Sequence, residues 1–334
     1  MLKCKKCIAA FLTVILMFCL ISCGEKSDYS EKDENTNLVV IGFSQPGAES
    51  AWRVALTDSV REAFTEERGY KLIYKDGQSK QDNQIRDIRT FIQQGVDYII
   101  LSPIVETGWD TVLLEAKQAN IPVIICDRNV VVSNESLYTA FVGSDFKSEG
   151  EKAVAFMEEK YGSSEEPINI VHIKGTLDSS AQLGRTGALE KAVLEHDNWN
   201  IIAENCGEFT KAKAREIMQN ILLEVDASSI DVIYCENDEE ALGVMAALNE
   251  AGIAYGKDEK ITIISFDGTK NALEQCLNGR INYVVECNPL QGPYLFNIIE
   301  MLSAKKTVPK ITYIYENAFE QEDLSEDFIK NRKY

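Results

Sequence analysis

Histidine is almost missing from this chain: His172 and His196 are the only two in 334 residues. Neither stands near a pair of cysteines, and the nine cysteines match no zinc-ligand spacing, so no metal centre is expected. Positive charge is also short. Against 53 Asp and Glu there are 34 Lys and Arg, a formal charge of −19, which argues against nucleic acid and anionic lipid headgroups as partners. The one long apolar run, Ile8 to Ile21, falls short of the roughly 20 residues that a spanning helix needs. Catalytic signatures are missing too. No Gly-x-Ser-x-Gly elbow occurs, and Gly42-Phe43-Ser44-Gln45-Pro46-Gly47 lacks both the glycine triplet and the Lys-Ser/Thr pair of a phosphate loop. Asp127 and Asp267 invite comparison with a glycosidase pair, but nothing in the sequence around them gives either a raised pKa. The expectation is a protein that is not an enzyme and takes no cofactor.

What is present begins at the N-terminus. Lys3, Lys5 and Lys6 precede the apolar run, and Leu20-Ile21-Ser22-Cys23 closes it with a small residue before a cysteine. That is the pattern of a lipoprotein signal, with residues 1–22 removed and lipid placed on Cys23; an uncleaved anchor is the alternative. Gly24 to Asn37 is polar, charged and nearly free of apolar side chains, and reads as a flexible tether. Only Cys126, Cys206, Cys235, Cys276 and Cys287 then remain in the body. An odd number leaves at least one thiol unpaired, and four of the five stand at ends of expected strands, where cysteine serves as a small buried hydrophobe.

The body is long enough for two domains. Short β-branched runs alternate with longer amphipathic segments, the grammar of parallel sheets covered by helices. Strands are expected at 38–43, 71–75, 98–101, 123–126 and about 137–142. The grammar then starts again, with strands at 168–173, 200–205, 231–234, 261–266 and 282–285 and helices between them. The fold class is therefore α/β, with two doubly wound parallel-sheet lobes. Ligands of such sheets bind beyond the carboxyl ends of the strands, so Ser44 to Ser50, Asp127-Arg128, Asn237-Asp238 and Asp267-Gly268 should converge.

Those strand ends carry groups suited to a polyol. Arg53, Asp127 and Arg128 stand on one side, and Arg185, Asn237, Asp267 and Asn288 on the other. Carboxylates accept from paired hydroxyls, guanidinium donates a rigid fork, and asparagine does both. Trp52 and Phe209 offer flat faces for the C–H side of a ring. Each has a plainer reading as a cap, a local ion pair or a core residue. Their recurrence at equivalent strand ends favours a site.

Val40 to Arg53 (VIGFSQPGAESAWR), Asp76-Gly77-Gln78, Ser102-Pro103 with Thr107-Gly108-Trp109, Asp127-Arg128, Glu236-Asn237-Asp238 and Phe266-Asp267-Gly268 together resemble the periplasmic binding proteins of bacterial ABC sugar importers. The likeness is to their ribose-type group, and within it to the galactofuranose-binding member. It spans Leu38 to about Ser303. It implies type I architecture, with two lobes joined by three crossovers: residues 38–141 and 289–318 in the first, 142–288 and 319–334 in the second. It also implies a monosaccharide ligand, permease subunits as partners, a monomer, and an extracytoplasmic place at the membrane through lipid on Cys23. Carried over by position, Ser44, Gln45, Glu49, Trp52, Arg53, Asp127 and Arg128 form the first wall. Arg185, Phe209, Asn237 and Asp267 form the second, with Asn288 near the hinge. Val285 to Leu290 and Leu177 to Ser180 depart from the galactofuranose binder. A sensor presenting its sugar to a membrane kinase or chemoreceptor would use the same residues. A repressor effector domain would need DNA-binding helices that the N-terminus lacks.

Overall fold

Two repeats of one unit emerge from that alternation in the computed structural model, which describes residues 38–334. The expected signal, Cys23 and the tether lie outside the described residues. The first sheet is built from β1 (Val39–Gln45), β2 (Tyr70–Asp76), β3 (Tyr98–Leu101), β4 (Val123–Asp127), β5 (Ala140–Gly143) and β11 (Ile311–Tyr313), in the order β11-β5-β4-β3-β1-β2, all parallel. The second contains β6 (Ile168–Lys174), β7 (Trp199–Cys206), β8 (Val232–Cys235), β9 (Thr262–Asp267), β10 (Tyr283–Glu286) and β12 (Ala318–Phe319), in the order β12-β10-β9-β8-β6-β7. Only the β10–β12 pair is antiparallel, so the second sheet is not wholly parallel as expected.

Period-two alternation sends neighbouring strand residues to opposite faces. In β3, Ile100 joins the core under one helical layer, while Ile99 and Leu101 join the other. In β8, Val232 and Tyr234 face one layer and Ile233 and Cys235 the opposite one. Both faces of each sheet are thus covered, which is why the strands read as nearly unbroken apolar runs. Helices α1 (Ala51–Ala63), α2 (Gln81–Gln94), α3 (Asp110–Gln118) and α9 (Gly292–Ser303) belong to the first lobe. Helices α4 (Phe146–Tyr161), α5 (Ser180–Glu195), α6 (Lys211–Glu224), α7 (Asp238–Ala251), α8 (Lys270–Leu277) and α10 (Glu326–Asn331) belong to the second.

The chain passes between lobes three times: at residues 144–145, at 287–291 and at 314–317. The first change therefore falls after Gly143, because β5 runs through the expected break between 141 and 142. Ala318 pairs with β10 in the second sheet, not with the first lobe. Strands β11 and β12 and helix α10 are too short for a periodicity to show, and the sequence reading missed them.

Candidate functional site

The cleft between the lobes takes its first wall from the start of α1. Ser50 caps this helix by accepting from the Arg53 amide (3.1 Å), which places Trp52 and Arg53 in its first turn, facing the strand ends. Arg53 is almost fully buried, and two of its three guanidinium nitrogens are engaged. Its Nε donates to Glu49 Oε1 (3.0 Å), and Nη1 donates to Asp127 Oδ2 (2.5 Å) and Ser102 Oγ (3.1 Å). Burial opposes the charge of this guanidinium, but Asp127 and Glu49 outweigh it and drive its pKa up. Glu49 shows the converse: burial works against ionisation, yet Arg53 and Arg128 hold its carboxyl below the usual range. Glu49 Oε2 is buried with no hydrogen-bond partner. Arg128 makes one long bond to the Ile104 carbonyl (3.3 Å) and stands 3.8 Å from Glu49. Burial, with Arg53 beside it, pulls its pKa down to about 10.

The opposite wall is organised around Arg185 of α5. Its Nε donates to Glu149 Oε2 (2.8 Å) and Nη1 to the Glu236 carbonyl (2.5 Å), while Nη2 stands 3.7 Å from Asp267 Oδ1. Burial pushes the Asp267 carboxyl well up, ahead of the opposing pull of Arg185. Hydroxyls donating to this carboxyl would restore the solvation that it loses in the closed cleft. Asn237 caps α7, its Oδ1 accepting from the Glu240 amide (2.9 Å), and so fills the plainer role while also lining the cleft. Phe209 is held in the left-handed region (φ 60°) by its amide bond to Glu240 Oε1 (2.9 Å), and the Arg128 guanidinium lies 5.1 Å over its ring from the other lobe.

The structure therefore brings together nine of the expected residues: Glu49, Trp52, Arg53, Asp127 and Arg128 from one lobe, and Arg185, Phe209, Asn237 and Asp267 from the other. They surround a cavity of only about 20 Å³. The walls stand nearly at contact, so a ligand enters only by parting the lobes.

Three expected residues do not line this space. Strand β1 continues through Gln45, pairing Ser44 with Lys75 and Gln45 with Asp76, so both are strand residues and not part of the loop. Ser44 donates to Asp87 (2.9 Å), and Gln45 Nε2 turns inward to Thr57, Tyr74 and the Gly47 carbonyl. Asn288 folds back to accept from the Leu290 amide (2.9 Å) at the second crossover. Ser50, from the loop expected to converge here, lines the cleft, and Phe146, Ala181 and Cys287 line it unforeseen. Phe146 and Ala181 are apolar residues at helix starts that the sequence cannot tell from core. Gln291, also unforeseen, accepts from the Asp127 amide (2.9 Å) and ties the second crossover to the site. All five thiols of the body are free. Burial pushes those of Cys126 and Cys235 well up and that of Cys276 up to about 12.

The chain is similar to known proteins over most of its length. The sequence model of the periplasmic binding protein domain matches residues 41–307. The galactofuranose-binding protein YtfQ of Escherichia coli (strain K12) is 34% identical over 296 residues, covering 88% of this chain and 92% of its own. A Mycobacterium smegmatis protein solved in complex with β-D-fucofuranose is 38% identical with a TM-score of 0.80, over 85% of this chain and 92% of that one. The binding component of the arabinose ABC transporter of Shewanella sp. ANA-3, bound to α- and β-L-arabinofuranose, is 37% identical with a TM-score of 0.81, over 88% of this chain and 96% of that one.

Proposed function

The chain belongs to the periplasmic binding proteins, and on that premise we propose that it captures a monosaccharide in its five-membered ring form, galactofuranose first, for delivery to the permease of an ABC importer. The observation that carries the reading is the pair of opposed guanidinium clusters. Arg53, held by Glu49 and Asp127, faces Arg185, held by Glu149 and Asp267, across the cleft that the two lobes close. Bidentate acceptors and fixed donors on both lobes suit hydroxyls on both edges of a sugar. Trp52, Phe146 and Phe209 supply the apolar faces. That similar proteins are described with galactofuranose, fucofuranose and arabinofuranose supports the ring form.

Binding works by closure. Two backbone donors of the first lobe bridge the mouth: the Glu106 amide to the Asp178 carbonyl (2.9 Å) and the Asn129 amide to Ser180 Oγ (2.8 Å). A sugar touching both walls favours the shut state through contacts that the open state lacks, and the shut shape is what a permease reads. Lipid on Cys23 keeps the protein beside that permease. Mass spectrometry of the mature protein tests the anchor: a lipidated Cys23 is expected, and an intact Met1 overturns it.

The ligand is tested by calorimetry on the body from Asn37 onward, with galactose, arabinose, ribose, glucose and myo-inositol. NMR of the bound sugar then identifies its ring. One-to-one binding of galactose with the furanose form enriched in the complex is expected. A bound pyranose overturns the ring assignment, and silence towards every sugar overturns the sugar reading.

A further inference from the structure

The three crossovers converge on one carboxyl, that of Glu316. Ser144 of the first donates its hydroxyl to Glu316 Oε1 (2.6 Å), and the Asn288 amide of the second reaches the same oxygen (2.7 Å). Glu316 itself sits on the third, where its carbonyl accepts from Lys152 (2.7 Å). Its carboxyl lies beside that of Glu149 of α4. Glu149 gives Oε2 to Arg185, and its Oε1 is buried with no hydrogen-bond partner. One oxygen of each carboxyl lies within 4.8 Å of the other. With Cys287 Sγ, they place ligand atoms within 4.8 Å of one another in a region closed to solvent.

Two carboxylates cannot both stay charged there. Arg185 is the one guanidinium among the described residues bonded to the pair, and it also stands 3.7 Å from Asp267. We propose that Glu149 and Glu316 hold a single proton between them, carried on Glu316 and donated to the Glu149 oxygen that Arg185 leaves free. This proton fixes the three crossovers in the geometry that aims Arg185 into the cleft. Glu149 and Glu316 are positioning residues: Glu149 orients Arg185, and Glu316 orients Glu149.

The electrostatics agree with this arrangement. Burial, then the charge of Glu149, pushes Glu316 up to about 9. Burial raises Glu149 also, against the pull of Arg185. The groups facing the pair are Arg185 from α5, Cys287 and the Asn288 amide from the second crossover, Ser144 from the first and Lys152 from α4. Tyr234 of β8 and Asp267 of β9 stand behind them. The sign follows from linkage. Because the folded state raises this pKa, the contribution to stability is fully present below the ordinary glutamate value of 4.5 and is lost as pH rises through about 9.

Carbon-13 NMR of the assigned Glu316 carboxyl in the ligand-free wild-type body is the first test. A step near pH 9 is expected, and titration in the ordinary glutamate range overturns the proposal. Glu316→Gln is the second, because its amide can donate to Glu149 while its oxygen still accepts from Ser144 and Asn288. The pH dependence of its unfolding midpoint should lose one proton relative to wild type; an unchanged dependence overturns the proposal. The third arm rests on the sugar reading. Wild-type affinity should fall up to tenfold per pH unit above about pH 9, and E316Q should lack this decline; if it shows the same decline, Asp267 or Arg128 is responsible and the proposal fails. Should E316Q not fold, the wild-type NMR step decides. Should no sugar bind, the first two arms still stand, so the two readings fail separately.

Discussion

Asp127 and Asp267 occupy the same station in the two lobes, the last residue of the fourth strand, and both have positive φ, 61° and 105°. Residues held in such regions cost about 1–3 kcal/mol and persist where the surroundings over-determine them. At Asp127 the surroundings are the Gln291 bond to its amide and Gly143, where a Cβ would come within 2.5 Å of the Asp127 carbonyl. The strain turns each carboxyl away from its sheet and into the cleft. Replacing either by alanine should weaken sugar binding at least tenfold, or about 1.4–2 kcal/mol. Asp127→Asn tolerates the left-handed backbone better than alanine, and so separates lost charge from lost conformation. Calorimetry showing wild-type affinity in both alanine variants would remove these residues from the site.

At the level of elements, the strand-end residues were legible because parallel sheets put ligands at one edge whatever the loop details. Asp127, Arg128, Asn237 and Asp267 follow directly from that rule. Ser44 and Gln45 were misplaced for a local reason: β1 extends two residues beyond its apolar run, pairing polar side chains that carry no hydrophobic signal. The crossovers were legible only through the family resemblance, since Glu316 and Gln291 sit in segments without periodicity. Phe209 depends on contact between elements that no spacing reveals. Its ring fills the place where a side chain on Gly175, beyond the end of β6, would stand. Gly175→Ala should therefore displace Phe209 from the cleft. The expected result is a protein that folds with about 1–3 kcal/mol less stability and binds sugar many-fold more weakly. A chemical-denaturation curve and a titration check this together; unchanged binding would mean that Phe209 is not part of the wall.

The whole molecule couples its charge to its closure. Buried carboxyls of the second lobe and hinge are raised together: Asp238 to about 6, Glu316 to about 9, and Glu240 and Asp267 well above their usual range, with burial the first cause in each case. Every one of these binds more protons folded than unfolded, so each contributes stability that is lost as pH rises. A body already strongly acidic adds self-repulsion of the same sign. The unfolding temperature should thus peak on the acid side of neutrality and decline steadily from about pH 6 to 9; a flat profile would show these carboxyls to be solvated in solution. Closure has its own handle, away from both the sugar and the hinge. Ser180 Oγ accepts the Asn129 amide across the mouth, and Ser180→Ala leaves that donor unpaired only when the lobes are shut. The open form is untouched, so the variant should unfold like wild type, yet release sugar several-fold faster at nearly unchanged association rate. Stopped-flow kinetics reads both rates. Small-angle scattering should show the two ligand-free proteins equally extended, because the bond forms only on closing and the sugar must supply the free energy of that step.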